Sequence, residues 1–212
     1  MNEAKFIVFE GCDGSGKTTQ LHKLNTLLKS QGISTWVTQE PGGCTDNLRI
    51  LRELALNEDT QPQTELLLLL ADRSHHVRQI KQALVSNIWV LCDRFSWSTF
   101  AYQGYGQGFN LSFLKQLDTF VTDGLKPDLT ILLDIDPKTG LQRKFEQKQF
   151  NKIEYRDLAY HDRVREGYLK LFELTLLSQD TVCRLFYCKN KNTGKYYTSD
   201  EIFEKIHQSL PF

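Results

Sequence analysis

Gly11-Cys12-Asp13-Gly14-Ser15-Gly16-Lys17-Thr18 fits the spacing G-x-x-x-x-G-K-[ST] and follows directly on the apolar run Phe6-Ile7-Val8-Phe9. No other stretch constrains the fold so tightly. The apolar run must end as a buried strand, and the glycines let successive backbone N–H groups turn inward around an anion. A helix must then start at Lys17 and aim its positive dipole end at the same point. Lys17 comes within reach of β- and γ-phosphates, and the Thr18 hydroxyl can ligate Mg²⁺. The expected ATP cradle is Gly11, Cys12, Asp13, Gly14, Ser15, Gly16, Lys17, Thr18 and Thr19.

The rest of the chain supplies partners for that strand. Ser34–Thr38, Ile88–Cys92, Leu129–Leu133 and, more weakly, Leu185–Tyr187 read as further strands. Helical patterns lie between them: Lys17 to about Ser30, one ending near Leu56, a long one from Pro62 to about Ser86, and a last one near Asp200–Leu210. Apolar strands spaced by helices imply an α/β fold, a parallel sheet covered on both faces, with the strand C-termini on one edge. The polar, basic segment Arg143–Arg156 reads as a mobile excursion between two helices, a lid on a single domain spanning 1–212. Lysine plus arginine and aspartate plus glutamate number 26 each, so no global field favours nucleic acid or an anionic membrane. The five cysteines show no metal-knuckle spacing and read as free thiols of a reducing cytoplasm. The start of the chain lacks a signal-peptide pattern, and its longest apolar run, Leu66–Ala71, is too short to span a bilayer.

Candidate site residues cluster where strands end. Asp93 closes the third strand, where an acid can hold Mg²⁺, in part through water, and Arg94 offers a bidentate fork to a phosphate. Arg73 follows the apolar turn Leu66–Ala71 on the long helix and is expected to face the cleft. Asp13 inside a phosphate cradle would repel the ligand unless it turned away, and across the cleft it could accept a bond from a sugar hydroxyl. A regulatory GTPase is disfavoured, because Asn190-Lys191-Asn192-Thr193 lacks the aspartate of N-K-x-D.

Taken together, Phe6–Gly11 with Asp13–Thr19, Glu40-Pro41-Gly42-Gly43, Ala71-Asp72-Arg73, Asp93-Arg94-Phe95 with Ser98-Thr99 and Ala101-Tyr102-Gln103-Gly104, and Pro127–Thr130 with Leu133-Asp134 resemble the thymidylate kinases, over about residues 5 to 175. The resemblance implies a P-loop, three-layer fold with a five-stranded parallel sheet and transfer of the γ-phosphate of ATP to dTMP with Mg²⁺. It also implies a cytoplasmic homodimer. By the same resemblance Asp13 would meet the deoxyribose 3′-hydroxyl, while Arg94 and Arg52 would hold the acceptor 5′-phosphate. Arg73 would donate to a thymine carbonyl, and Leu69, Ser98, Thr99 and Gln103 would line the acceptor site. Tyr102 would crowd a ribose 2′-hydroxyl.

The chain departs from the family pattern in places. Leu69 stands where an aromatic usually stacks on the base, Gln39 replaces a basic residue, Cys44–Arg49 is one residue longer, and Cys188-Lys189 replaces an acidic-small pair. Gly14 follows Asp13, so the cradle carries no arginine there, and the transition-state cation is expected from the lid: Arg143 first, Lys148 second. The acceptor is already an anion, so no general base is required. Other small-molecule P-loop kinases remain as alternatives. Adenylate kinases usually carry proline where Asp13 stands; a deoxynucleoside kinase would need a base, for which Glu40 could serve.

Overall fold

The computed structural model describes residues 3–43, 48–147 and 152–211. Five strands form one wholly parallel sheet in the order β2-β3-β1-β4-β5: β1 Phe6–Glu10, β2 Thr35–Gln39, β3 Trp89–Asp93, β4 Leu129–Asp134 and β5 Val182–Tyr187. β1 is central and every residue in it is buried. Its side chains alternate between two cores, as a strand must. Ile7 and Phe9 pack with Leu21, Leu24 and Tyr168 on one face; Phe6 and Val8 pack with Val77, Ile80 and Phe95 on the other. That two-sided burial is why its sequence reads as a continuous apolar run.

Helix α1 (Lys17–Ser30) leaves the cradle, and α2 (Arg49–Ala55) and α3 (Pro62–Val85) follow β2. After β3 comes a single helical turn, α4 (Ser96–Thr99), which runs into π-helical turns over Phe100–Gly106, then α5 (Leu111–Thr122). α6 (Pro137–Glu146) and α7 (Leu158–Ser178) separate β4 from β5, and α8 (Ser199–Gln208) closes the chain behind a Thr198–Glu201 capping box. π-helical turns are rare and concentrate at functional sites; here they carry Tyr102 and Gln103 to the cleft.

The expected excursion at 143–156 needs correction. Arg143 and Lys144 lie in the last turn of α6, because the Asp136 cap and Pro137 start a helix whose pattern runs through Glu146. Lys152 is half-buried and pairs with Glu65, and Ile153 and Glu154 are buried. Residues 148–151 lie outside the described residues, and Lys148 with them; so does Cys44. The four described cysteines, Cys12, Cys92, Cys183 and Cys188, are free and buried.

Candidate active site

A cavity of about 800 Å³ opens along the C-terminal edge of the sheet, a size ordinary for a small-molecule site. The cradle forms one end. The Lys17 ammonium donates to the carbonyls of Gly11 and Cys12, each at 3.0 Å, and so rests across the mouth of its own loop. Burial, and then the positive charge of Arg94, lower its pKa. The Thr18 hydroxyl donates to Asp93 Oδ2 at 2.5 Å, so the start of α1 and the end of β3 deliver a hydroxyl and a carboxylate to one point. Hard oxygen donors of this kind suit Mg²⁺, which keeps several waters and takes one or two protein ligands. Burial pushes the Cys12 thiol up to about 12, so it is no nucleophile at neutral pH.

Gly14 has a steric reason. A Cβ there would stand 2.2 Å from the Gly140 carbonyl oxygen, and a Cβ on Gly140 would stand 2.3 Å from that of Asp13. The cradle and α6 therefore touch backbone to backbone, and no side chain fits at position 14. One turn after Gly140, Arg143 donates Nη1 to the Gly14 carbonyl at 3.2 Å and lies over the Tyr196 ring at 5.2 Å. The cation expected near the cradle is thus held by a helix.

Against the cradle lies a knot of side chains around Arg94. This residue has φ 74°, a conformation costly for a side chain and typical of sites where surroundings enforce it. Its Nη2 donates to Asp13 Oδ1 at 2.6 Å and to the Tyr102 hydroxyl at 3.1 Å, and its Nη1 to Tyr168 at 2.9 Å and Gly11 O at 3.1 Å. Tyr102 in turn donates to Asp13 Oδ2 at 2.5 Å, beneath the guanidinium. Burial alone would raise the Asp13 carboxyl, but Arg94 and then Lys17 outweigh it and hold it well below the usual range. Asp13 does turn away from the cradle amides, as its charge required. Arg52 also lines this cavity, donating to the Pro41 carbonyl, and burial followed by the charge of Arg94 lowers its pKa.

Glu10, at the end of β1, was not singled out in the sequence. Its Oε1 accepts from the backbone N–H of Phe95 (2.8 Å) and Ser98 (3.2 Å), and its Oε2 from the Ser98 hydroxyl (2.7 Å) and Tyr168 (3.1 Å). It fixes the turn that presents Arg94, and its burial raises its pKa. A carboxylate closing a wholly buried strand was the available signal.

Arg73 reaches the cleft as expected, but as part of a buried network. Its Nε donates to Glu40 Oε2 at 2.7 Å, Nη1 to Asp118 at 3.1 Å and Nη2 to the Phe95 carbonyl at 3.0 Å. The other oxygen of Glu40 pairs with His76 Nδ1 at 2.9 Å, and His76 Nε2 meets Thr38 at 2.7 Å. Burial would raise the Glu40 carboxyl, yet Arg73 and His76 bring it below the ordinary range. With both oxygens engaged and its pKa lowered, Glu40 is a poor base. Leu69, Ser98, Thr99 and Gln103 share the cavity with Arg73. Tyr197, Ser199 and Ile202 also line it and were not foreseen.

The sequence model described as Thymidylate kinase matches residues 9–182. The chain belongs to the thymidylate kinase family. It is 46% identical over 212 residues to the thymidylate kinase of Maridesulfovibrio salexigens, covering 95% of this chain and 92% of that one. Against the enzyme of Carboxydothermus hydrogenoformans it is 46% identical over 170 residues, 79% of this chain and 83% of the other. The crystal structure of thymidylate kinase from Ehrlichia chaffeensis superposes with a TM-score of 0.78 at 32% identity, covering 98% of both chains. The resemblance and the five-stranded parallel fold expected from the sequence are both borne out. Among the described residues no helix is long and apolar enough to cross a membrane.

Proposed function

We propose that this chain transfers the γ-phosphate of ATP to dTMP, giving dTDP and ADP. The observation that carries the reading is the Asp13–Arg94–Tyr102 knot, which joins the cradle within one cavity. An anion-binding fork there sits beside groups suited to a sugar.

Arg94 and Arg52 hold the 5′-phosphate; a dianion relieves the repulsion between the two guanidinium groups. Asp13 takes the 3′-hydroxyl, and Tyr102 crowds position 2′. Arg73, preset by Glu40 and Asp118, donates to a thymine carbonyl, with Leu69, Ser98, Thr99 and Gln103 around it. Lys17 moves from the Gly11 and Cys12 carbonyls onto the donor phosphates, and Arg143 moves from Gly14 to the transferring group. Thr18 and, in part through water, Asp93 would hold Mg²⁺, which would supply positive charge against the phosphates. The acceptor phosphate is already anionic, so catalysis is alignment and charge neutralisation. A deoxynucleoside kinase would need a base to deprotonate a hydroxyl, and the engagement of Glu40 argues against it. By the same reading the protein is a cytoplasmic homodimer of one domain spanning 1–212.

An acceptor screen with ATP and Mg²⁺ tests this. dTMP is expected to be phosphorylated far faster than adenylate, and thymidine not at all. Preference for thymidine or adenylate would overturn the reading.

A further inference from the structure

Glu65 is a buried carboxylate of the cavity wall that the proposed reaction leaves unused. It lies in the first turn of α3, is 1% exposed, and lines the cavity together with Leu69 and Gln103. Its Oε1 accepts from Gln103 Nε2 at 2.9 Å and from Gln107 Nε2 at 2.7 Å, and its Oε2 stands 2.6 Å from Lys152 Nζ. A carboxylate removed from water needs such a cation and such donors.

The consequence falls on Gln103. An ionised carboxylate only accepts, so the amide of Gln103 must turn its nitrogen to Glu65; no other group has to be consulted to choose between its two ends. Its Oε1 has no protein donor among the described residues, and Gln103 is part of the cavity wall. What the cavity is offered is therefore an acceptor of fixed identity. A pyrimidine carrying N3–H can satisfy it, whereas cytosine presents a bare N3 lone pair that meets it acceptor to acceptor.

We infer that Glu65 is a specificity-determining positioning residue. By locking the Gln103 amide it selects a base with N3–H over cytosine, and Lys152 serves as its counter-ion. This rests on the reading that the cavity takes dTMP.

The test measures kcat/KM for dTMP against dCMP in the wild type, Glu65→Gln, Gln103→Met and the double variant. A glutamine at 65 can donate as well as accept, which frees the Gln103 amide to turn over. The dTMP/dCMP ratio is expected to fall about tenfold or more, chiefly through the dTMP KM, with the ATP KM within about twofold. Gln103→Met should lose as much, and Glu65→Gln should add nothing on that background. Gln103→Met leaves the Glu65–Lys152 pair intact and tests the acceptor. If Glu65→Gln fails to fold, Glu65→Asp, which keeps the charge but withdraws it from the Gln103 amide, tests the lock, and a ratio within about threefold of wild type there would overturn it. A ratio within about threefold of wild type in Gln103→Met, or losses that multiply in the double variant, would overturn the inference. A wild type that turns over no dTMP would instead sink the reading beneath it.

Discussion

The two ends of the cavity are built by different means. At the cradle, Lys17 bonds to carbonyls only five and six residues away, in a loop whose glycines set its shape. At the acceptor end, Arg94 meets Asp13 across 81 positions, Tyr168 meets Glu10 across 158, and Arg73 meets Glu40 across 33. The first is backbone held by local conformation; the second is a set of buried charges that hold each other. A local backbone site can lose its one side chain and keep its fold. A network of buried charges cannot, because removing one member strands another away from water. The donor end should therefore separate activity from stability, and the acceptor end should not.

The largest expected effect lies at the donor end. Lys17→Ala should lower kcat by about 10³-fold or more, because it removes a charge at the transferring phosphoryl, while the thermal midpoint stays close to wild type. Near-normal kcat would remove the cradle from the chemistry; a large drop in Tm would erase the contrast between the two ends.

Arg143→Ala comes next. Cations that stabilise the charge in phosphoryl transfer are worth roughly 10³–10⁵ in kcat, and the lower part of that range is expected here, with little change in the dTMP KM. A loss of under about threefold would reject Arg143 as the cation, and the same substitution at Arg156 would then be measured. Since Arg143 rides on α6 through the Gly14–Gly140 contact, this variant also asks whether a helix can do what a flexible segment was expected to do.

The acceptor end should respond in stability. Glu40→Ala leaves Arg73 and His76 short of their carboxylate and is expected to cost about 3–5 kcal/mol, a fall in Tm of roughly 6–20 °C for a domain of this size. pH separates the two buried glutamates further. The Glu40 pKa is lowered on folding, so its contribution is present above the unfolded glutamate pKa and is lost as pH falls through the folded value. Glu10 is raised, so its contribution is full below the unfolded pKa and is lost as pH rises through the folded value. In melts across the acid range, Glu40→Gln should flatten the loss of stability on acidification, and Glu10→Gln should steepen it. Slopes of the opposite sense would show that the network is not held as described.

The smallest effect concerns the base wall. Leu69 excludes water but offers no flat face, and stacking in aromatic pairs is worth about 0.5–1.5 kcal/mol beyond area burial. Leu69→Phe should lower the dTMP KM by about two- to tenfold at unchanged kcat. A higher KM would mean that the wall is already packed around leucine.

The sequence by itself determined the cradle, the five strands and their parallel pairing, and the arginines of the cleft; the strand order came from the structure. These follow from short-range rules: glycine spacing, apolar runs of strand length, and charges placed directly after them. Helix boundaries at Lys17 and Pro62 were legible for the same reason. Only the tertiary structure decided what those side chains do for one another. Glu65 looks like an ordinary surface acid in a row of letters and Arg143 like part of a loose basic segment, and the place of Glu10 at the end of a buried strand does not name its partners. Their roles depend on burial and on partners 38 to 158 positions away. A buried charge is given its meaning by what neutralises it, and no local pattern carries that information.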